Sequence, residues 1–178
     1  MVLSSYSPGR SWAKRFHFHF CWATHHNTRG NCAILMVVKA TVRFVSKDLF
    51  LGITPSNHAL PLDTDKERSS APTPVELLLV ALGSCTATDV ASILAKKRQV
   101  VTSYVVEISG VRSDEHPRKF TSMNVHHILT GRSISPKAVA DAIELSDTKY
   151  CSVAATLRPT VEIQSSFEII EETTPTQE

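Results

Sequence analysis

The sequence has few cysteines, and none of them forms a CxxC pair. Four cysteines in 178 residues, without the apolar segment of a secretory signal, do not amount to a disulfide framework. The missing CxxC spacing also argues against a structural zinc site. Long apolar runs are missing too: Leu77–Leu82 is far too short to span a bilayer, and the charged residues Glu76 and Asp89 bracket the wider segment. We therefore expect a protein without a membrane partner.

Acidic residues are absent from one part of the chain. Residues 1–47 hold seven lysines and arginines and no acid, so the remainder carries twelve basic and seventeen acidic residues. A net acidic body argues against a nucleic-acid partner. A chain of 178 residues is long enough for one domain that buries its own core.

The first 35 residues differ from the rest of the chain. They contain both tryptophans, half of the histidines and half of the cysteines, and they show no periodic apolar pattern. Their serines and arginines, without acids, are typical of an organelle transit peptide, and translation from Met36 would fit equally well. We predict a disordered extension at 1–35, a folded domain at 36–171 and a tail at 172–178. The expected location is cytoplasmic, or a mitochondrion or plastid if the extension is a transit peptide.

Local patterns predict an α+β fold with antiparallel sheets. The stretch VVKATVRFV alternates apolar and polar residues, which predicts a half-buried strand, and two short strands follow in DLFLGI and SNHALPL. A hairpin is predicted in TSYVVEISGVRS and RKFTSMNVHHILTG. A second helix is predicted after Ser135. A short third helix, capped by Ser146 and holding Cys151, then precedes a last strand in PTVEIQSSFEII.

A long helix is predicted from Pro74 to about Lys97. Thr73 and Glu76 have the spacing of a capping box, and Pro74 suits the first turn. The first half of this helix, VELLLVALG, is apolar nearly all round, which predicts burial on all sides. Either sheets cover both of its faces or a second subunit supplies the cover. The few short strands before Pro74 favour the second subunit.

One cysteine lies in this helix among polar residues. At helical spacing Cys85 shares a face with Thr88, Asp89 and Ser92. Because unpaired buried polar groups cost roughly a few kcal/mol each, this stripe predicts an internal polar network, a solvent channel or a functional site. Cys151 is either a small core residue or a thiolate favoured by the start of the short helix. Their separation of 66 residues leaves open whether the two sulfurs meet.

Three stretches are similar to the osmotically inducible protein C (OsmC) and organic hydroperoxide resistance (Ohr) superfamily. They are TPVELLLVALGSCTATDVASIL, FTSMNVHHILTG and AIELSDTKYCSVAATL, and they occur in the family's order. The resemblance is strongest to the OsmC-like, or YhfA-like, branch, and it covers roughly residues 37–170. It implies an OsmC-like fold and an intertwined homodimer, in which antiparallel sheets from both chains wrap two long central helices.

The resemblance also implies a thiol peroxidase that uses no haem, flavin or metal cofactor. Cys85 matches the peroxidatic cysteine, whose thiolate would attack an organic hydroperoxide, release an alcohol and become a sulfenic acid. Cys151 matches the resolving cysteine, which would form a disulfide with Cys85. An external dithiol would then reduce the disulfide, and in the peroxidase branches this dithiol is typically a lipoylated protein.

The chain departs from the peroxidase branches at the position ten residues before the peroxidatic cysteine. Those branches have a glutamate ten residues before it, where this chain has Val75. Glu76 is nine residues before Cys85, which places it on the opposite face of the helix. We keep Glu76 as a candidate site residue, with helix capping as its other role.

The charges around the thiol are a second departure. The peroxidase branches supply an arginine that stabilises the thiolate, for which Arg43 and Arg158 are the candidates here. Asp89, a further candidate site residue, lies one turn from Cys85, and its carboxylate would disfavour a thiolate. The alternative hypothesis is therefore an OsmC-fold protein that binds a small ligand or is related to stress, and that lacks efficient peroxidase activity.

Overall fold

A computed structural model describes residues 37–172 of the chain. The predicted extension at 1–35, and all but the first residue of the predicted tail, lie outside the described residues. Two three-stranded sheets and three α-helices make up the described part. This architecture confirms the α+β class.

The first sheet is an antiparallel meander in the order β1-β2-β3. Its strands are β1 (Thr41–Ser46), β2 (Leu49–Ile53) and β3 (Ala59–Asp63), and each overlaps the stretch that predicted it. A polar loop then leads to the long helix α1 (Glu76–Lys96). The side chain of Arg68 in this loop binds the buried carboxylate of Asp63, which ties the loop to the end of β3.

The second sheet has the order β4-β5-β6. The strands β4 (Val100–Arg112) and β5 (Phe120–Arg132) form the predicted antiparallel hairpin. The chain then continues through three helical segments to the last strand: α2 (Pro136–Leu145), a π-helical turn (Ser146–Tyr150), α3 (Ser152–Leu157) and β6 (Glu162–Glu171).

The last strand differs from the expected antiparallel pattern. It runs parallel to β5, in a register from Ser122–Glu162 to Gly131–Glu171. A parallel neighbour requires a crossover connection, and the helical segments between β5 and β6 supply one. The remaining strand pairs are antiparallel, as predicted.

The start of α1 confirms the predicted capping box. Glu76 Oε2 accepts hydrogen bonds from the Thr73 backbone N–H at 2.7 Å and from the Thr73 hydroxyl at 3.0 Å. Thr73 Oγ1 in turn accepts from the Glu76 N–H at 3.3 Å. These reciprocal bonds satisfy donors that a helix start would otherwise leave free. Regular helix begins at Glu76, shortly after the predicted start at Pro74.

One stripe of α1 is buried. Leu82, Thr86, Val90 and Leu94 are spaced four residues apart and lie against β4, α2 and α3. Gly83 lies beside this stripe, and a Cβ there would collide with Ile108 of β4, so the glycine lets the helix approach the sheet closely. The stripe fixes which way every other residue of α1 points.

Two core clusters lie along this stripe. The first joins the second half of α1 to β5 and α2 through Val90, Leu94, Leu129 and Val139. The second joins the first half of α1 to β5 and α3, and its members include Leu82, Met123, Val125, Cys151 and Ala154. Cys151 is therefore held inside a packed core, directly beside α1.

Much apolar surface remains uncovered within residues 37–172. The half-buried strand predicted at β1 is exposed along its whole length, with Val42 at 63 % and Phe44 at 66 % exposure, because no helix packs extensively on the first sheet within the described residues. The helix expected to be enclosed on all sides is covered on one side, and Val80 is 62 % exposed. The apolar patterns of β1 and α1 thus predicted more burial than the described residues provide.

Candidate functional site

The fold brings the two candidate cysteines together. Cys85 is half-buried in α1, and Cys151 immediately precedes α3 with 3 % exposure. Both are free thiols, and their sulfurs and a carboxylate oxygen of Asp89 all lie within 4.8 Å of one another. A disulfide has an S–S length of about 2 Å, so the sulfurs need to approach by less than about 3 Å to form one.

Cys151 caps α3 instead of lying inside it as predicted. Its Sγ accepts hydrogen bonds from the Ala154 N–H at 3.3 Å and from the Thr86 hydroxyl at 3.6 Å. Burial, the largest cause, raises the pKa of the Cys151 thiol, the Cys85 thiol adds to the rise, and the bonds from Ala154 and Thr86 oppose it. The expectation that the helix start favours a thiolate is thus outweighed by loss of solvent, and Cys151 holds its proton.

Asp89 is the member of the predicted polar stripe that accompanies Cys85. The fully buried Ser146 hydroxyl donates to Asp89 Oδ2 at 3.1 Å and orients the carboxylate. The other two members, Thr88 and Ser92, are exposed, and the Thr88 hydroxyl donates to a carbonyl of its own helix. The stripe is therefore split between the cysteine cluster and the surface.

Glu76 lies away from the cysteines. It is exposed and lines an open groove of about 530 Å³ between α1 and β4, together with Leu79, Tyr104 and other residues that do not include Cys85. The hydrogen bonds from Thr73, first that of its backbone N–H, hold the pKa of Glu76 below its ordinary value. Its contacts are those of a helix cap, so the structure does not bring it to the sulfurs.

Neither candidate arginine forms an ion pair with Asp89. Arg158 Nη2 lies 3.6 Å from Asp147 Oδ1, and Arg43 projects from the exposed strand β1. Within the described residues, no ion pair joins an arginine to Asp89. The negative charge beside the sulfurs is thus not neutralised by a salt bridge from this part of the chain.

The two histidines of β5 point to opposite faces of the strand. His126 is half-buried and bonds Ser166, whereas His127 is fully buried and its Nδ1 lies 2.6 Å from the Tyr104 hydroxyl. No residue of the described chain bonds His127 Nε2. Burial, the main cause, lowers the pKa of His127 to about 4, Asp147 opposes the change and His126 adds to it. His127 is therefore neutral at neutral pH.

Sequence reasoning missed two residues of the site. Thr86, which bonds Cys151, stands in the apolar series Leu82, Val90 and Leu94, and a hydroxyl in such a stripe was the available signal. Ser146, which bonds Asp89, was interpreted only as a helix cap. Each hydroxyl bonds a candidate site residue that is distant from it in the sequence.

By length and composition, α1 could cross a membrane. One such helix is weak evidence, because the core helix of a water-soluble protein passes the same test. The buried stripe of α1 packs on β4 and α2, which is the environment of a core helix.

A profile of the OsmC-like protein family matches residues 65–166 of the chain. Protein YhfA of Escherichia coli is 43% identical over 133 residues, which cover 75% of this chain and 98% of that protein. The profile match includes the helix with Cys85 and Asp89 and the segment with Cys151.

Solved structures share the fold. A hypothetical protein from Aquifex aeolicus is 30% identical with a TM-score of 0.70, and the match covers 78% of this chain and 100% of that one. An organic hydroperoxide resistance protein from Legionella pneumophila, described as a predicted redox protein, is 14% identical with a TM-score of 0.58 over 75% of this chain and 98% of that one. This second likeness concerns the fold alone. By the profile and by the identity to YhfA, the chain belongs to the OsmC-like protein family.

Proposed function

We propose that the protein is a thiol-dependent peroxidase that reduces organic hydroperoxides through Cys85 and Cys151. One observation carries the proposal: the two sulfurs lie within 4.8 Å of each other although 66 residues separate them. Two reduced cysteines at this distance can close to a disulfide with little movement. Membership of the OsmC-like family agrees with a redox role.

The different surroundings of the two thiols suggest their roles. Cys85 is the more accessible of the two, so it attacks the hydroperoxide as a thiolate. The S–O bond forms as the O–O bond breaks, the alkoxide takes a proton and leaves as an alcohol, and Cys85 becomes a sulfenic acid. Cys151 is buried, which protects its thiol from direct attack by peroxide.

The second step joins the sulfurs. The Cys151 sulfur attacks the Cys85 sulfenic sulfur, and the hydroxyl leaves with the Cys151 proton as water. An external dithiol, for which a lipoylated protein is the proposed class, then returns both cysteines to thiols and becomes a disulfide itself. No metal or organic cofactor enters this proposed cycle.

The proposal includes a homodimer. Val42 and Phe44 of β1 and Leu78 and Val80 of α1 are exposed apolar side chains in the single chain. Surfaces of this kind mark interfaces when they are contiguous and extensive. A second copy that lays its first sheet against α1 would cover both of them.

The peroxidase proposal is tested in a chain in which Cys85 and Cys151 are the only cysteines. Cys21→Ser with Cys32→Ser achieves this without touching the described residues, and the unaltered chain serves as control. One equivalent of cumene hydroperoxide should remove both thiols, lower the mass by two hydrogen atoms and yield a Cys85–Cys151 disulfide in peptide maps.

Two single variants separate the roles of the cysteines. Cys151→Ser should stop at the sulfenic acid, trapped on Cys85 by dimedone, whereas Cys85→Ser should leave the Cys151 thiol intact. Oxidation of Cys151 first, or no thiol loss in a folded protein, would contradict the proposal.

A second candidate function is binding of a small ligand without efficient peroxidase chemistry. The observation that favours it is the groove of about 530 Å³ between α1 and β4, whose lining includes Leu79, Val106 and Ile108. Slow thiol loss together with binding of an apolar probe in this groove would support it. For location we propose the cytoplasm, or a mitochondrion or plastid if residues 1–35 are a transit peptide. The intact mass of the native protein tests this choice.

A further inference from the structure

The cysteine cluster also has the composition of a metal site. Two sulfurs and one carboxylate oxygen, from Cys85, Cys151 and Asp89, lie within 4.8 Å of one another. In a tetrahedral zinc site with Zn–S bonds of about 2.3 Å, the sulfurs are about 3.8 Å apart. The three donor atoms therefore need only small shifts to reach a common ion.

We propose that the reduced protein binds one Zn²⁺ per chain through Cys85, Asp89 and Cys151. Thiolate sulfur and carboxylate oxygen are both established zinc ligands, and three protein ligands leave a fourth position for water. Binding releases the two thiol protons to solvent. Two thiolates, one carboxylate and Zn²⁺ then carry one net negative charge together.

The local structure suits this use of the three residues. Cys85 and Asp89 are four residues apart on one helix, the spacing at which two side chains of a helix converge on one ion. Cys151 comes from a separate element, the N-cap of α3. The prediction of no metal rested on the absence of CxxC pairs and on the family resemblance. Here the third ligand comes from a distant part of the chain.

Neighbouring groups hold the proposed ligands in place. Ser146 donates to the Asp89 carboxylate at 3.1 Å, and Ala154 N–H and the Thr86 hydroxyl donate to the Cys151 sulfur at 3.3 and 3.6 Å. Such second-layer bonds orient ligands and stabilise negative charge on them, and their removal costs about 10–100-fold in metal affinity. The same hydrogen bonds give the buried hydroxyls of Thr86 and Ser146 their partners.

Metal binding and disulfide formation use the same sulfurs, so each excludes the other. The metal proposal does not depend on peroxidase activity, because it needs only the two thiols in reduced form. A bound Zn²⁺ would protect both thiols from hydroperoxide.

The experiment uses the full chain, reduced with a phosphine, stripped of metal and dialysed against Zn²⁺. We expect one zinc per chain by elemental analysis, and Co²⁺ in its place should give the sulfur-to-metal charge-transfer absorption of two thiolate ligands. Asp89→Asn, Cys85→Ser and Cys151→Ser should each weaken binding by at least about tenfold. Asp141→Asn, which alters a carboxylate paired with Lys97 instead, should bind as the unaltered protein does.

Some outcomes would overturn the metal proposal. One is a folded, reduced protein that retains less than about a tenth of an equivalent of zinc. Another is binding that persists in all three ligand variants, which would assign the ion to the histidines and cysteines of residues 1–35. Zinc binding, together with no hydroperoxide turnover by the metal-free reduced protein, would refute the peroxidase and leave the metal site standing. Turnover without zinc binding would do the reverse.

Discussion

The two sheets of this protein have very different surroundings. The second sheet, β4-β5-β6, is packed against α1, α2 and α3 and supplies Met123, Val125 and Leu129 to the core. The first sheet, β1-β2-β3, has few buried residues, and β1 has none. The second sheet and its helices thus hold the site, whereas the first sheet leaves apolar side chains uncovered by the other described residues.

The second sheet should be the more sensitive to loss of apolar volume. Leu129→Ala empties a fully buried position between α1 and α2, which should lower the free energy of unfolding by about 3–4 kcal/mol. Urea denaturation measures the change. A loss below about 1 kcal/mol would show that this region is less tightly packed than the geometry indicates.

Acid should weaken the second sheet through His127. Its pKa is lowered from 6.5 to about 4 in the folded state, so the unfolded chain binds more protons between these values. The contribution of neutral His127 to the free energy of unfolding is therefore complete above pH 6.5 and is lost as the pH falls towards 4. The loss should reach about 3 kcal/mol at most.

Unfolding free energies at a series of pH values measure this dependence. His127→Leu should flatten it, whereas His126→Gln, at the half-buried neighbour, should leave it in place. An unchanged slope in His127→Leu would assign the acid sensitivity to another group.

Truncation in the first sheet should act on assembly more than on the single chain. Phe44 is 66 % exposed, so Phe44→Ala should barely change the stability of an isolated chain. If a second copy covers it, the variant should weaken the dimer by about 2 kcal/mol, roughly thirtyfold in dissociation constant. Sedimentation equilibrium measures this constant. A monomeric unaltered protein at micromolar concentration would remove the proposed reason for the difference between the sheets.

The smallest effect is expected in the site that the second sheet and its helices hold, at Asp89 of α1. Asp89→Asn removes a negative charge within 4.8 Å of both sulfurs, which should favour the thiolate by about 1 kcal/mol and speed its reaction with hydroperoxide about fivefold. Stopped-flow rates of thiol loss measure it, with Asp141→Asn as control. A slower reaction would instead make Asp89 a group that assists the chemistry. The same variant should bind zinc less tightly, so the two readouts move in opposite directions.

Local sequence was sufficient for most of the elements. The capping pair Thr73 and Glu76, the hairpin of β4 and β5 and the start of α2 at Ser135 were all predictable, because caps, turns and periodicity act between residues close in the chain. The motifs around Cys85 and Cys151 also pointed to the OsmC-like family, which the comparisons confirm.

Contacts between residues far apart in the sequence could not be predicted from local patterns. The sequence by itself determined that α1 is a helix with Cys85 and Asp89 on one side, because helical spacing is a local property. Only the tertiary structure decided that Cys151 lies beside them, that burial raises the pKa of its thiol, and that β6 is parallel to β5. The physical reason is that burial and the direction of a returning strand depend on how separate segments pack, and no spacing along the chain encodes that packing.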